Sequence, residues 1–177
     1  MDDDAPRLFT GHLELIAATP SLARAAATSG AALAELLACE VPRGWPPEPM
    51  RDRQVEWATE LEADPQLAGW RVWYIVQVRP PLLVGGIGFA GRPDADGVVE
   101  CRWWLVPRFK RYGWATEAMG GLIDWAFSHP EVRRIRAHAP RHETASLRVL
   151  EKNGLSHVGD GDEAGTLRFE LARPSGD

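Results

Sequence analysis

The sequence predicts an α/β protein built on one mixed sheet that carries helices on both faces. Three observations lead to this prediction. Segments 71–78, 82–89 and 98–106 are rich in apolar, β-branched and aromatic residues, as strands are. Segments 114–128 and 143–153 instead space their apolar residues at helical intervals. Strands alternate with helices along a chain of 177 residues, which is enough for one domain with a sizeable core.

The chain begins with a predicted strand and a predicted helix pair. Residues 12–17 alternate enough to form a strand, and Thr19-Pro20 then supplies a helix N-cap followed by proline at the first helical position. The alanine-rich segment 20–40 is predicted to be two helices with a break near Ser29-Gly30. Both helices precede the main run of strands.

A proline-rich loop separates this pair from another helical segment. Residues 41–49 are predicted to be extended, because proline disfavours both helix interiors and sheet ladders. Helical spacing resumes over 51–63, where we expect Val55, Ala58 and Leu61 to share one face.

Three strands and a helix follow in the middle of the chain. Strands 71–78 and 82–89 are joined through Arg79-Pro80-Pro81, and the turn-forming composition of 93–97 leads into strand 98–106. The next helix, 114–128, has Ala118, Leu122, Trp125 and Ala126 spaced for burial.

The last part of the chain is predicted to add a strand, a helix and two short strands. In strand 132–139 either of the two alternating sets of side chains could face the core. Ile135, Ala137 and Ala139 favour their own set, which places His138 on the opposite face of the strand. Helix 143–153 is predicted to end at Gly154. The predicted order of elements is β-α-α-β-β-β-α-β-α-β-β, which indicates a mixed sheet.

Composition excludes several classes of function. The net charge of −5 argues against nonspecific nucleic-acid binding, and no apolar run is long enough for a membrane span. The acidic start MDDDAPR is not a signal peptide, so we expect a cytoplasmic protein. Cys39 and Cys101 are predicted to be buried free thiols, and no histidine pair has metal-ligand spacing, so no metal is expected.

Residues 105–120 carry the main functional signal. A short apolar strand ends in Leu105 and Val106. A basic loop with Arg108, Lys110 and Arg111 follows, and the small residues Gly113 and Ala115 begin the next helix. The first turn of a helix has unpaired N–H groups and a positive dipole end, so this pattern favours phosphate binding.

The segment 82–120 resembles the acetyl-CoA-binding core of the GNAT superfamily of N-acetyltransferases, above all the branch of ribosomal-protein N-terminal acetyltransferases. The family's Gln/Arg-x-x-Gly-x-Gly/Ala loop falls on Lys110, Gly113 and Ala115, and an Ala-Thr-Glu-Ala run follows directly. Residues 145–155 resemble the family's second conserved helix. The resemblance covers most of the chain and implies a single GNAT-like domain over residues 1–177.

The resemblance also implies acetyl-CoA as the co-substrate and names the residues that would bind it. They are Leu105, Val106, Lys110, Arg111, Tyr112, Gly113, Trp114, Ala115, Thr116 and Lys152.

Two residues are candidates for catalysis. Glu100 lies on the strand that enters the loop, where the resembled branch often has an acidic base; otherwise it is an exposed glutamate paired with a cross-strand arginine. Ser146 matches the serine of the family's Asn-x-x-Ser helix start and is implied to protonate the departing sulfur; otherwise it is a helix-surface serine.

Three departures from the family pattern matter. Glu143 replaces the family's asparagine, while Arg102-Trp103 replaces its Gly-Tyr and Trp104 replaces a smaller residue. Arg102 either faces the cleft, where it would favour an anionic acceptor, or faces outward; we expect the cleft-facing orientation. His142 is a loop histidine that would more often be a surface residue than a base.

Two functions therefore compete. The first is transfer of acetyl to a primary amine, either a protein N-terminus or a small molecule. The second is a noncatalytic CoA-binding module whose departures reflect a repurposed site. An exposed sheet edge near the C-terminus would permit a homodimer.

Overall fold

The computed structural model describes residues 5–176, so residues 1–4 of the acidic start MDDDAPR and residue 177 lie outside the described part of the chain. Eight strands form one sheet. In chain order they are β1 (Arg7–Phe9), β2 (Leu13–Ala17), β3 (Val72–Gln77), β4 (Leu82–Phe89), β5 (Val98–Leu105), β6 (Arg134–Pro140), β7 (Ser156–Asp160) and β8 (Thr166–Ala172). Five α-helices accompany them: α1 (Pro20–Thr28), α2 (Gly30–Leu37), α3 (Arg51–Ala63), α4 (Trp114–Phe127) and α5 (Thr144–Lys152).

The sheet order is β1-β2-β3-β4-β5-β6-β8-β7. Strands β5 and β6 run parallel, and the other neighbouring strands in the described residues are antiparallel. The strand at the C-terminal edge is β7, since β8 lies between β6 and β7. The homodimer at such an edge stays a prediction.

The fold class is confirmed, because the sheet buries one apolar cluster on each face. Helices α4 and α5 pack on one face against residues such as Leu15, Ile75 and Ile135. Helices α1 to α3 cover the other face, where Ile16 and Tyr74 point. The alternating side chains of the strands therefore divide between two cores.

The structure corrects the predicted order at two places. It adds the strand β1, and it has three helices between the first strands and β3 where the order gave two. The short β1 is held by pairing with β2, from Arg7 with Ile16 to Phe9 with Glu14. Three residues are too few to give a clear periodicity in the sequence, so tertiary pairing decides this element.

The buried face of α3 also differs from the prediction. Ala58 and Leu61 are fully buried as expected, but Val55 is 47% exposed and Gln54 is 0% exposed. The Tyr74 hydroxyl donates to Gln54 Oε1 at 3.4 Å. The buried hydroxyl gains an acceptor, which offsets part of the cost of burying both polar groups.

Local signals set the helix ends as expected. The Thr19 side chain accepts from the Leu22 N–H at 3.3 Å and begins α1, and the Ser29 side chain caps α2 at Ala32 N. Gly154 follows α5 with φ of 82°, a left-handed conformation that favours glycine.

One feature of the sheet positions the candidate site: β5 and β6 separate partway along. Their pairing runs from Val98 with Arg134 to Cys101 with Ala137. Beyond that point β5 stays with β4 up to the Gly85–Leu105 pair, while β6 stays with β8 up to the Pro140–Thr166 pair. We call this opening the fork.

Glu117 joins the first turn of α4 to the β1–β2 turn. Its Oε1 accepts from the Thr10 hydroxyl and from the His12 backbone N–H at 2.6 Å, and its Oε2 lies 3.0 Å from His12 Nδ1. Burial raises the pKa of the Glu117 carboxyl, but these hydrogen bonds outweigh it, so the pKa is lowered overall.

We predict that Glu117→Gln lowers the free energy of unfolding at pH 7 by about 1–2 kcal/mol, because charge-assisted hydrogen bonds are lost. A lowered folded-state pKa contributes stability above the unfolded value of about 4.3, and this is lost as the pH falls. Urea unfolding at pH 7 and pH 3 should therefore show a smaller difference between the two proteins at pH 3. The matched control is Glu131→Gln, at an exposed position; an equal loss in both variants would contradict the assigned role.

Candidate active site

The loop between β5 and α4 has the backbone shape of an anion site. After a 3₁₀ turn at Pro107–Phe109, Arg111 has φ of 74° and Gly113 has φ of 82°. Left-handed residues in such loops form concave sites for anions. Gly113 is the N-cap of α4, and no side chain caps this helix start. The first amides of α4 are therefore left for a ligand.

The space beside Gly113 is open. A Cβ atom built on this glycine would meet nothing within 4 Å. The loop also exposes Arg108, Lys110 and Arg111, which add positive charge next to the helix N-terminus. Phosphate binding by this loop stays a prediction, and the open space and the three cations are the features that favour it.

The two predicted cofactor-binding residues at the start of the loop make contacts within the protein itself. Leu105 packs against the core on the α4 face. The Val106 N–H donates to the Val84 carbonyl at 2.8 Å, so this amide is used within the protein. These two residues shape the entrance to the loop.

The other predicted cofactor-binding residues lie around the start of α4 and at the end of α5. Tyr112 is 65% exposed and stacks on Trp114, with ring centroids 6.1 Å apart. Ala115 is buried, and the Thr116 carbonyl accepts from Asn153 Nδ2 at 3.2 Å. Lys152 is an exposed residue in the last turn of α5, immediately before Asn153. The Asn153 contact therefore brings this end of α5 to the first turn of α4.

A cavity of about 380 Å³ opens at the fork, and we call it the fork cavity. Consecutive residues of both strands line it, so it reaches both faces of the sheet. The lining residues are Glu100, Cys101, Arg102 and Trp103 of β5, His138, Ala139 and Pro140 of β6, and Glu143, Ser146, Asp162, Glu163 and Thr166. The two predicted catalytic residues, Glu100 and Ser146, thus line the same cavity.

Glu100 faces the fork cavity and is also ion-paired. Its neighbours Val99 and Cys101 are buried in the core, so the side chain of Glu100 points to the opposite face, where it is 26% exposed. Arg102 Nε and Nη2 lie 3.0 and 2.9 Å from Glu100 Oε1. The arginine partner lies two residues along the same strand, whereas the alternative interpretation of Glu100 paired it with an arginine on a neighbouring strand.

Ser146 and Glu143 form a pair at the start of α5. The Ser146 hydroxyl donates to Glu143 Oε2 at 3.0 Å, and Glu143 makes no side-chain cap to the helix backbone. The hydroxyl that the resemblance assigns to the leaving sulfur thus donates its hydrogen to a carboxylate in the structure. The neighbouring His142 is exposed.

A second cavity, of about 530 Å³, lies between α3 and strands β4 and β5. Trp57, Trp103 and Trp104 line it, and we call it the tryptophan cavity. Arg102 and Trp103 line both cavities, and the Arg102 side chain is 59% exposed, so its orientation toward the thioester stays a prediction. Arg53 and Arg71 add two further cations, with Glu60 2.7 Å from Arg71.

His138 and Asp162 are further candidate site residues that the sequence patterns did not indicate. Single donor atoms of Glu100, His138 and Asp162 all lie within 4.8 Å of one another. The strand pattern correctly turned His138 away from Ile135 and Ala137. Nothing in that pattern indicated that β6 would lie beside β5, so a cluster from three separate segments had no local signal.

Cys101 borders the fork cavity as a protonated thiol. Burial, with a smaller contribution from the nearby Glu100, raises the pKa of Cys101 to about 12, and the side chain is 2% exposed. Burial also raises the pKa of Cys39 to about 11. Both cysteines are free and buried, as predicted.

None of the helices in residues 5–176 combines the length and the apolar character that crossing a membrane requires.

Comparison with known proteins identifies the family. A family model described as an acetyltransferase (GNAT) domain matches residues 21–156. The uncharacterized N-acetyltransferase YjdG of Bacillus subtilis (strain 168) is 37% identical over 87 residues, which are 49% of this chain and 52% of that protein. The chain thus spans about half the length of the curated relative it matches.

Solved structures share the fold over nearly the whole chain. Ribosomal-protein-S5-alanine acetyltransferase from Vibrio fischeri matches with a TM-score of 0.66 and 17% identity, covering 94% of this chain and 96% of that one. RimL, a ribosomal L7/L12 alpha-N-protein acetyltransferase solved in complex with coenzyme A, matches with a TM-score of 0.69 and 16% identity, covering 94% and 98%. At these identities the likeness concerns the fold. Because the family model covers well over half of the sequence, this chain belongs to the GNAT acetyltransferase domain family.

Proposed function

We propose that this protein is an N-acetyltransferase that moves acetyl from acetyl-CoA directly to a primary amine. The observation that carries the proposal is the fork cavity, where a carboxylate on one strand and a serine at a helix start border the same space. The uncapped N-terminus of α4 lies at the end of the same strand. Acetyl transfer needs a bound thioester, a base and a proton for the sulfur, and these elements suit each need.

The cofactor phosphates are assigned to the amides of residues 111–116 and to the loop cations. When bound, acetyl-CoA supplies an activated acetyl group as its thioester. The fork leaves the edges of β5 and β6 unpaired beyond Cys101 and Ala137, so an extended arm can add to the sheet there. The family's RimL was solved with coenzyme A, which supports this assignment by analogy.

Glu100 is assigned as the base that takes a proton from the acceptor ammonium. Ser146 is assigned to protonate the departing thiolate, for which its hydroxyl must turn its hydrogen from Glu143, where it points in the structure, to the sulfur. Cys101 is the cysteine at this cavity, and its raised pKa keeps it a protonated thiol, a poor nucleophile. This supports direct attack by the amine over a covalent acetyl-cysteine intermediate.

The tryptophan cavity is assigned to the acceptor. It adjoins the fork cavity through Arg102 and Trp103, and its lining combines aromatic surfaces with guanidinium groups. Such a lining suits an amine whose remaining part is apolar with an anionic group. The acceptor is a protein N-terminus, as in the ribosomal-protein acetyltransferases that share the fold, or a small amine.

A noncatalytic CoA-binding role is the second candidate. The Glu100–Arg102 ion pair favours it, because this pair occupies the base in the structure. The two roles are distinguished by CoA release with a panel of amines and peptides. Turnover with any acceptor excludes the noncatalytic role.

We predict that Gly113→Asp weakens acetyl-CoA binding sharply while the fold survives. The substitution places a negative charge beside the phosphate-binding amides. Gly113→Asn is the matched control, since asparagine is similar in size, tolerates positive φ and is uncharged. Calorimetry should show a much larger loss for aspartate than for asparagine, and undiminished binding by Gly113→Asp would remove the assignment.

We predict that Glu100→Gln lowers kcat by roughly 10²–10⁴-fold, because it removes the base and keeps the shape. The affinity for acetyl-CoA should barely change. Glu163→Gln, which alters an exposed carboxylate at the rim of the same cavity, is the control. An unaltered pH–rate profile in Glu100→Gln would show that this residue is only part of the strand.

We predict that Arg102→Gly changes the order of preference among acceptors with little loss of stability. Without the guanidinium, anionic acceptors should lose their advantage and neutral amines should react faster. The measurement is kcat/KM for matched anionic and neutral amines, with Arg102→Lys as a variant that keeps the charge. An identical profile in the wild type and the glycine variant would contradict a selective role.

A further inference from the structure

His138 lies in the fork cavity between two carboxylates. Its side chain is 16% exposed, and its Nδ1 lies 3.6 Å from Glu100 Oε1. Its other ring nitrogen, Nε2, lies 3.8 Å from Asp162 Oδ2. Nε2 is buried and has no hydrogen-bond partner within the described residues. A buried ring nitrogen of this kind calls for a partner.

The two carboxylates face opposite nitrogens of the same ring. A neutral imidazole has one N–H donor and one acceptor nitrogen, so it can receive a proton on one side and release one on the other. The two distances exceed direct hydrogen-bond length, and a small side-chain rotation or one water closes them. Because one donor atom from each of the three residues lies within 4.8 Å of the others, a metal ion is the competing occupant, and the chelation experiment below separates it from a relay.

The arrangement also has a direction. Asp162 is 75% exposed, whereas Glu100 is 26% exposed and borders the assigned acceptor site. The path Glu100–His138–Asp162 therefore leads from the base to solvent. No other histidine lines this cavity within the described residues.

We propose that His138 is a positioning residue that relays the acceptor's proton from Glu100 to Asp162 and solvent. This inference rests on the proposed function. The amine enters as an ammonium and gives one proton to Glu100. The neutral amine forms the C–N bond and loses a second proton as the C–S bond breaks. The thiolate takes up one proton, so of the two protons that leave the nitrogen one ends on CoA and one must leave through the relay.

Other charged groups surround the ring and set the field in which it works. Arg102 pairs with Glu100, and Arg168 stands opposite His138 in the register with β8. The remaining charged groups that line the cavity or flank His138 on its strand are Arg136, Glu143 and Glu163. Arg136 is ion-paired with Glu170 at 2.9 Å. The carboxylates nearest the ring nitrogens of His138 are those of Glu100 and Asp162.

The first test is chemical rescue. We expect His138→Ala to lower kcat on the order of tenfold to a hundredfold, less than the loss expected for Glu100→Gln, with little change in KM for acetyl-CoA. Added imidazole should restore the rate of formation of the acetylated amine. The probes are short peptides with different amino-terminal residues and 2-phenylethylamine. Wild type and His142→Ala receive the same imidazole, and neither should be accelerated.

Two further variants keep the test decisive if His138→Ala folds poorly. His138→Gln keeps polarity without the two-sided relay, and Asp162→Asn changes an exposed side chain. Both should lower kcat and shift its pH profile. Full activity with an unshifted profile in both, or wild-type activity that is lost on chelation and restored by a divalent cation, would overturn the relay.

A second measurement does not depend on turnover. The ring nitrogens of His138 can be observed by NMR in ¹⁵N-histidine-labelled protein. The signals should change in Glu100→Gln and in Asp162→Asn, and should stay the same in His142→Ala. If neither carboxylate variant changes them, the relay is wrong, whereas a wild type that acetylates no probe amine while these signals respond would count against the proposed function alone.

Discussion

The separation of β5 from β6 is the constraint on which the rest of the site depends. Beyond Cys101 and Ala137 the two parallel strands no longer pair with each other, and each stays with its outer neighbour, β5 with β4 and β6 with β8. Gly85 supports this, because a Cβ there would collide with the Trp104 carbonyl and Leu105. The opening places side chains from both faces of the sheet around one cavity, which an unbroken ladder would prevent.

The fold divides its polar contacts between anchoring and binding. Glu117 uses its carboxylate to attach α4 to the β1–β2 turn, so the start of this helix is held from one side. Its uncapped amides and the space beside Gly113 are left on the other side. A chain of net charge −5 therefore carries a locally basic surface at this helix start, where the proposed function places the cofactor phosphates.

The sheet carries many charged side chains near the fork, and several of them form ion pairs with one another. Arg134 and Arg136 both contact Glu170, and Arg102 contacts Glu100. His138 differs from these residues because its ring meets carboxylates only at longer distances, on both sides. Paired charges favour a fixed geometry, whereas a ring between two acceptors is suited to moving a proton.

Local periodicity, small residues and turn chemistry were enough to predict the fold class, most element positions and the loop around Gly113. Glu100 became a candidate through its place on the strand before that loop and through the resemblance to the GNAT superfamily. Tertiary structure decided what local patterns do not encode. Burial of Gln54 in place of Val55 follows from the Tyr74 hydroxyl on a distant strand. The meeting of Glu100, His138 and Asp162 follows from the parallel neighbourhood of β5 and β6. Contacts between segments far apart in the chain arise only when strand order and register are set, so no spacing in the sequence could reveal them.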